Sequence, residues 1–137
     1  MNQLQRRKQQ GFSLIELIIV ITIMGLLVSL VAPEMMGKVN TTQKKAAAAQ
    51  LEMFSTALDT YRLDIGSYPD NLEELRSSDK SRWDGPYLPK SVPLDPWDNP
   101  YSYKKPGEDG NPYYLASLGA DGKPGGEDDN ADIVYSF

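Results

Sequence analysis

The sequence predicts an α+β protein: one long N-terminal α-helix, membrane-spanning in its first half, packed on a small three-stranded antiparallel β-sheet. Three observations carry this reading. Phe12 to Ala32 is an apolar run of 21 residues with a single charge, Glu16. Leu51, Phe54, Leu58, Tyr61 and Ile65 then recur at spacings of 3, 4, 3 and 4, the stripe of a helix with one buried face. Beyond Gly66, three short segments rich in tyrosine and aliphatic residues are set apart by proline- and glycine-rich turns and read as strands.

The elements follow in chain order. The first eleven residues hold Arg6, Arg7 and Lys8 and no acid. The apolar run after them would make about 31 Å of helix at about 1.5 Å per residue, enough for a hydrocarbon core of about 30 Å. It is longer than the apolar core of a removable signal peptide, about 7–15 residues. Leu30 also stands where a small residue would precede a cleavage point after Ala32, and Pro33 follows. A retained membrane helix is the better reading, and the basic residues ahead of it hold the amino end in the cytoplasm. The helix is expected from about Ser13 to Ile65, bent or locally unwound at Pro33, which lacks an amide donor. Gly66 is the expected stop. A short second helix should begin near Asp70, with Glu73 as capping partner and Leu72 and Leu75 facing the long helix. Trp83 to Pro112 is punctuated by proline and glycine and reads mostly as loop. Tyr101–Lys104 and Tyr113–Ser117 form a hairpin across the turn at residues 106–112, and Asp132–Ser136 adds a third strand. Three strands on one helix are a plausible minimal core.

Composition excludes several chemistries. With no cysteine and no histidine, the chain has no thiol nucleophile, no disulfide, no imidazole base and none of the usual zinc ligands. The formal net charge is −5, and losing the three leader cations would take it to −8. Such an acidic body repels nucleic-acid phosphate. Tyrosines near Asp95 and Asp98 would suit a sugar site with an acid pair, but no separation is fixed, and the stretch reads more easily as a structural turn.

Two features remain as candidate sites. Glu16 is costly, about 2.5–3.5 kcal/mol for a charge deep in a bilayer. Either it lies shallow and reaches the headgroups, or it pairs with a cation inside protein-lined space. Cleavage after Gly11 would create such a cation, the amine of Phe12. Within one helix that amine is more than a turn away, so a neighbouring subunit would supply it. The second feature is the loop Leu118 to Asn130, where four carboxylates share a glycine-rich stretch with Lys123. Oxygen ligands and flexible glycines suit a hard cation. A solvated acidic turn fits the composition equally well.

Gly11-Phe12-Ser13-Leu14-Ile15-Glu16, behind a short basic leader and ahead of the apolar run, resembles the processing motif of the type IV pilin-like family. Asp95-Pro96-Trp97-Asp98-Asn99-Pro100-Tyr101 and Ser117-Leu118-Gly119-Ala120-Asp121-Gly122 resemble the body of its type II secretion pseudopilin branch. One departure is Asp98, at a position where that branch is expected to have glycine. The resemblance covers nearly the whole chain, and its implications are specific. A prepilin peptidase would cut after Gly11 and methylate Phe12, leaving residues 1–11 as a cleaved leader, 12–33 as transmembrane and filament-core helix, and 34–137 as a periplasmic globular domain. Glu16 would guide assembly. The acidic loop would bind calcium through the Leu118 carbonyl and Asp121, Asp128 and Asp129, with Glu127 and Asp132 as weaker candidates. The subunit would sit in the inner membrane and self-associate into a helical pseudopilus with minor pseudopilins and an inner-membrane assembly platform, driving export of folded periplasmic proteins. It would be no enzyme. A true type IV pilin is the alternative, disfavoured because such pilins usually close their C-terminal region with a disulfide.

Overall fold

The computed structural model describes residues 11–137. Arg6, Arg7 and Lys8, and the leader reading built on them, lie outside the described residues. The elements run α1 (Leu14–Ile65), a 3₁₀ turn (Leu72–Leu75), β1 (Ser102–Lys104), β2 (Tyr114–Ser117), a second 3₁₀ turn (Asp128–Asn130) and β3 (Ile133–Val134). The chain divides into two compact units at Lys38/Val39.

In the first unit the apolar side chains of α1 face outward: Ile18 is 50% exposed and Leu30 75%. The helix is long and apolar enough to cross a membrane, and none of its most apolar stretch is buried against protein. Pro33 removes the amide that would bond the Ser29 carbonyl. The helix nonetheless runs through Pro33 without a break, so the expected local unwinding is absent. One missing bond is a small perturbation to a helix already nucleated on both sides.

In the second unit α1 buries Ala47, Leu51, Phe54, Ser55, Ala57, Leu58 and Tyr61 along one face. Their partners are Leu72, Leu75, Leu88, Tyr113 and Leu115. Full burial of an aliphatic or aromatic side chain is worth about 1.5–3 kcal/mol, so this stripe dominates the stability of the unit. Gly66 ends α1 at φ 95°, with its amide bonded to the Arg62 carbonyl at 2.8 Å. The predicted second helix is a single 3₁₀ turn, capped one residue later than expected. Asn71 Oδ1 accepts the Glu74 amide, and Glu74 Oε1 accepts the amide of Asp70. Asparagine caps as well as aspartate does, and here Leu72 and Leu75 are buried from that frame.

The sheet order is β1-β2-β3, antiparallel throughout. Tyr103 pairs with Leu115, and Ser117 with Ile133. All three strands are shorter than predicted. β3 reduces to two residues, although the Tyr135 amide still bonds the Leu115 carbonyl at 2.9 Å. Tyr113 lies just outside β2, fully buried, its hydroxyl donating to Ser55 Oγ of α1 at 3.1 Å.

The 95–101 segment docks beside this sheet. Asp95 is 3% exposed, and its carboxylate is fully used. Oδ1 accepts the amides of Trp97 and Asn99, and Oδ2 accepts the Ser117 hydroxyl at 2.6 Å. Burial, with the Asp95 charge adding to it, pushes the neighbouring Tyr101 hydroxyl up to about 12. Asp98 has φ 63°, the left-handed region that glycine enters without cost and aspartate tolerates better than most residues. The backbone there has the shape a glycine would take, and aspartate accommodates it. Asp98→Val should therefore lose about 1–2 kcal/mol by denaturant unfolding, whereas Asp98→Gly should not. Equal losses from both variants would mean that the aspartate side chain, not the dihedral angle, matters.

Candidate functional sites at the helix start and in the acidic loop

The first site is the start of α1. Phe12 is 89% exposed. The Glu16 amide donates to Ser13 Oγ at 3.2 Å, and the Ser13 amide donates back to Glu16 Oε2 at 3.2 Å. This is a reciprocal capping box, which satisfies two amides that the first turn leaves free. The sequence reading treated Glu16 as a charge that either reaches the headgroups or seeks a distant partner. The Ser13-x-x-Glu16 spacing is itself the capping signature, and it was legible. The carboxylate thus has a local role as well as a charge. Gly11 has an ordinary backbone, and a Cβ built on it meets nothing within 4 Å among the described residues.

The second site is the loop from Leu118 to Asp132. Gly119 leaves the end of β2 at φ 68°, and a Cβ there would lie 2.8 Å from the Asn130 carbonyl carbon. Gly126, at φ 99°, approaches the same residue as closely. These two glycines let the loop fold back on itself. The Ala120 amide bonds the Asp129 carbonyl at 2.9 Å, and the Gly125 amide bonds Asp132 Oδ2 at 2.9 Å.

The expected ligands are placed as follows. Leu118 stands at the mouth of the loop, directly after β2. Asp121 Oδ1 accepts the Lys123 amide within its own turn. Glu127 precedes the 3₁₀ turn and makes no side-chain cap. Asp128 begins that turn at φ 52°. Asp129 turns to α1: its Oδ2 accepts Asn40 Nδ2 at 2.6 Å, and its Oδ1 lies 3.7 Å from Lys44 Nζ. Asp132 Oδ1 is buried with no hydrogen-bond partner among the described residues. No three acidic groups among the described residues meet as a metal-holding cluster. The donor chemistry does suit a hard cation: every side-chain ligand is a carboxylate, and the orphaned Asp132 oxygen is the kind of buried atom that a water or an ion satisfies. Asn40 and Lys44 escaped sequence reasoning, because nothing local ties α1 to a residue 89 positions away.

Comparison with known proteins places the chain in a family. Residues 34–136 match the model of type II secretion system protein G, and residues 6–32 match the prokaryotic N-terminal methylation motif. Type II secretion system core protein G of Pseudomonas aeruginosa is 41% identical, covering 95% of this chain and 96% of that protein. The Aeromonas hydrophila protein of the same name is 37% identical over 92% and 93% of the two chains. That of Escherichia coli K12 is 40% identical over 89% of each. The crystal structure of the major pseudopilin from enterohaemorrhagic Escherichia coli superposes with a TM-score of 0.59 at 31% identity, covering 72% of this chain and 87% of that one. With its body matched almost end to end and its capped apolar helix carrying the methylation motif, the chain belongs to the type II secretion system protein G family.

Proposed function

We propose that the chain is the major subunit of a type II secretion pseudopilus: stored in the membrane by α1, cut after Gly11, methylated at Phe12 and polymerised into a filament that pushes folded proteins out of the periplasm. The observation that carries this reading is the coincidence, on one chain, of the methylation motif over 6–32 and the protein G body over 34–136. The chain is a structural component of secretion, not an enzyme. Asp95, the buried acid of the only stretch that suggested hydrolysis, is committed to turn hydrogen bonds. The type IV pilin alternative gives way to the secretion family. In the proposed arrangement residues 12–33 form the inner-membrane anchor and filament core, residues 34–137 lie in the periplasm, and minor pseudopilins and an assembly platform act as partners. The test is complementation. A secreting bacterium stripped of its own protein G should recover export when supplied with this chain and the matching assembly machinery. Export that stays absent while the chain is processed and polymerised would remove the secretion role.

We propose further that the acidic loop binds calcium, which the Leu118 carbonyl and Asp121, Asp128 and Asp129 would hold, with Glu127 and Asp132 as weaker candidates. The ion supplies positive charge where like charges otherwise repel, and so ties the loop to the sheet beside β3. A ligand bound only to the folded state stabilises by RT ln(1 + [L]/Kd), about 2.7 kcal/mol at 100 times Kd. Periplasmic exposure is compatible with a Kd of about 10⁻⁴–10⁻³ M, typical of extracellular calcium modules. The full chain in detergent micelles should therefore melt about 10 °C or more higher in saturating calcium than in chelator. Magnesium should change little, and Asp121→Ala should abolish the calcium response. Identical melting of the wild type in calcium and in chelator would reduce the loop to a solvated acidic turn.

A further inference from the structure

We propose that the cavity between the first 3₁₀ turn and β1 receives one arginine side chain of a partner protein, with Glu73 as the anion it pairs with and Tyr101 and Tyr103 as aromatic walls. The site lies within the second unit and shares no residue with the helix start or the acidic loop.

Size sets the scale of the ligand. The cavity measures about 230 Å³ and is bordered among others by Asp70, Glu73, Val92, Leu94, Tyr101 and Tyr103. Pockets for drug-sized ligands run to about 300–1,000 Å³, so this one holds a single side chain. Its walls are fixed by the fold. Tyr101 packs edge-on against Phe54 of the core, with ring centroids 5.0 Å apart, and the Tyr103 hydroxyl donates to the Pro69 carbonyl at 2.8 Å. A ligand therefore meets a preformed recess and does not have to order it.

Charge selects the kind of ligand. Two carboxylates border the cavity. Asp70 is already matched: its Oδ1 lies 2.7 Å from Lys105 Nζ, which holds that carboxyl below the usual carboxylate range. The Glu73 carboxylate makes no hydrogen bond and no ion pair among the described residues. Burial raises both tyrosine hydroxyls, that of Tyr101 to about 12, so both rings are neutral at pH 7. One negative charge is left over, and one cation balances it. The Tyr101 hydroxyl has no hydrogen-bond partner among the described residues either and can accept from a donor. Val92, Pro93 and Leu94 make the rest of the border apolar, which suits an alkyl stem below a charged head. Arginine meets these features together. Its stem lies on the apolar border, its plane stacks on a tyrosine ring, and its fork pairs with the carboxylate. A lysine ammonium would pair with Glu73 but is a strongly hydrated point charge with no plane to lay on a ring. The net charge of −5 draws basic partners toward the body before contact.

The test uses the full chain in micelles of a zwitterionic detergent, with N-acetyl-arginine amide as the probe. Saturation-transfer NMR reads binding from the side-chain protons of the probe, and a dissociation constant in the millimolar range is expected for one side chain. N-acetyl-citrulline amide has the same shape without the charge and should bind about tenfold more weakly or not at all. N-acetyl-lysine amide should bind severalfold more weakly than the arginine probe. Glu73→Gln keeps the size of the side chain and should weaken arginine binding severalfold with the melting temperature near that of wild type, because this carboxylate holds nothing else in the fold. Glu108→Gln removes an exposed acid from the hairpin turn and should change nothing. Equal transfer to the arginine and citrulline probes, or equal losses from Glu73→Gln and Glu108→Gln, would reduce the effect to general attraction by an acidic protein and overturn the site. Lysine binding as tight as arginine would overturn the assignment to a guanidinium, and no transfer to any probe would overturn the proposal as a whole.

Discussion

Glu16→Ala is expected to give a subunit that inserts, folds and is processed but builds no filament. The argument begins with cost. A carboxylate in the apolar part of a bilayer is unfavourable by about 2.5–3.5 kcal/mol, and α1 offers no basic side chain between Phe12 and Ala32 to offset it. The capping box with Ser13 accounts for part of its retention, since a lost cap costs about 1 kcal/mol. Such a loss weakens the first turn and does not unfold the distant core of Phe54, Tyr61 and Leu115. The larger effect comes on assembly. In the proposed processing, cleavage would expose the Phe12 amine, so each subunit would carry one cation and one anion at the helix start for neighbouring subunits to pair. Removing one partner leaves the other buried and alone, at about 3–5 kcal/mol. About 1.4 kcal/mol is tenfold in an equilibrium constant, so the polymerisation threshold should rise by roughly a hundredfold or more. Glu16→Gln separates the two roles. Glutamine can still close the capping box but has no charge, so the pairing argument requires Glu16→Gln to fail as Glu16→Ala does. Filaments from the glutamine variant alone would assign Glu16 to capping. Normal filaments from both would leave the charge without a role in assembly.

What could be read in advance follows the range of the interactions. The long helix and its buried stripe were legible because a 3.6-residue period writes itself into consecutive residues, from Leu51 through Tyr61. Gly66 was legible as a stop because its positive φ is a property of that residue alone. The hairpin of β1 and β2 was legible from turn chemistry; the place of β3 beside β2 was not. Strand lengths were not legible either, because β3 is trimmed by contacts with its one neighbour, β2, and not by its own composition. The short helix was placed one residue early because Asp70 and Asn71 are both good caps, and only the burial of Leu72 and Leu75 decides between them. Pro33 was expected to bend or locally unwind α1; the unwinding is absent, because the expectation was drawn from one missing amide without weighing the helix on either side. At the sites, the Gly11–Glu16 motif was readable as a string. The Asp129 contacts with Asn40 and Lys44 were not, since they depend on where the fold lays α1 beside the loop.

Gly11→Leu is expected to leave the chain at its full 137 residues, unmethylated and unassembled. The glycine is not there for the fold: its backbone is ordinary, and an added Cβ would touch nothing within 4 Å among the described residues. The proposed processing gives a reason for a small residue from outside the chain. A peptidase that cuts the Gly11–Phe12 bond must bring catalytic groups against the backbone on both sides, and glycine is the residue that permits such close approach. A branched leucine would block it. In the proposed topology the basic residues Arg6, Arg7 and Lys8 would hold this bond at the cytoplasmic face, so the peptidase should act there before assembly begins. The block removes two things at once. It would deny Glu16 its partner amine, and it would leave an eleven-residue leader with three cations ahead of a helix start that, in the proposed assembly, enters a filament core. Intact mass spectrometry reads the result directly. Wild type with peptidase should lose residues 1–11 and gain one methyl group, whereas Gly11→Leu should keep the mass of the uncut chain under the same conditions. Gly11→Ala, smaller by three carbons in its side chain, should be cut at an intermediate rate. A leucine variant trimmed and methylated like wild type would place the processing point elsewhere and detach the Glu16 pairing from the Phe12 amine.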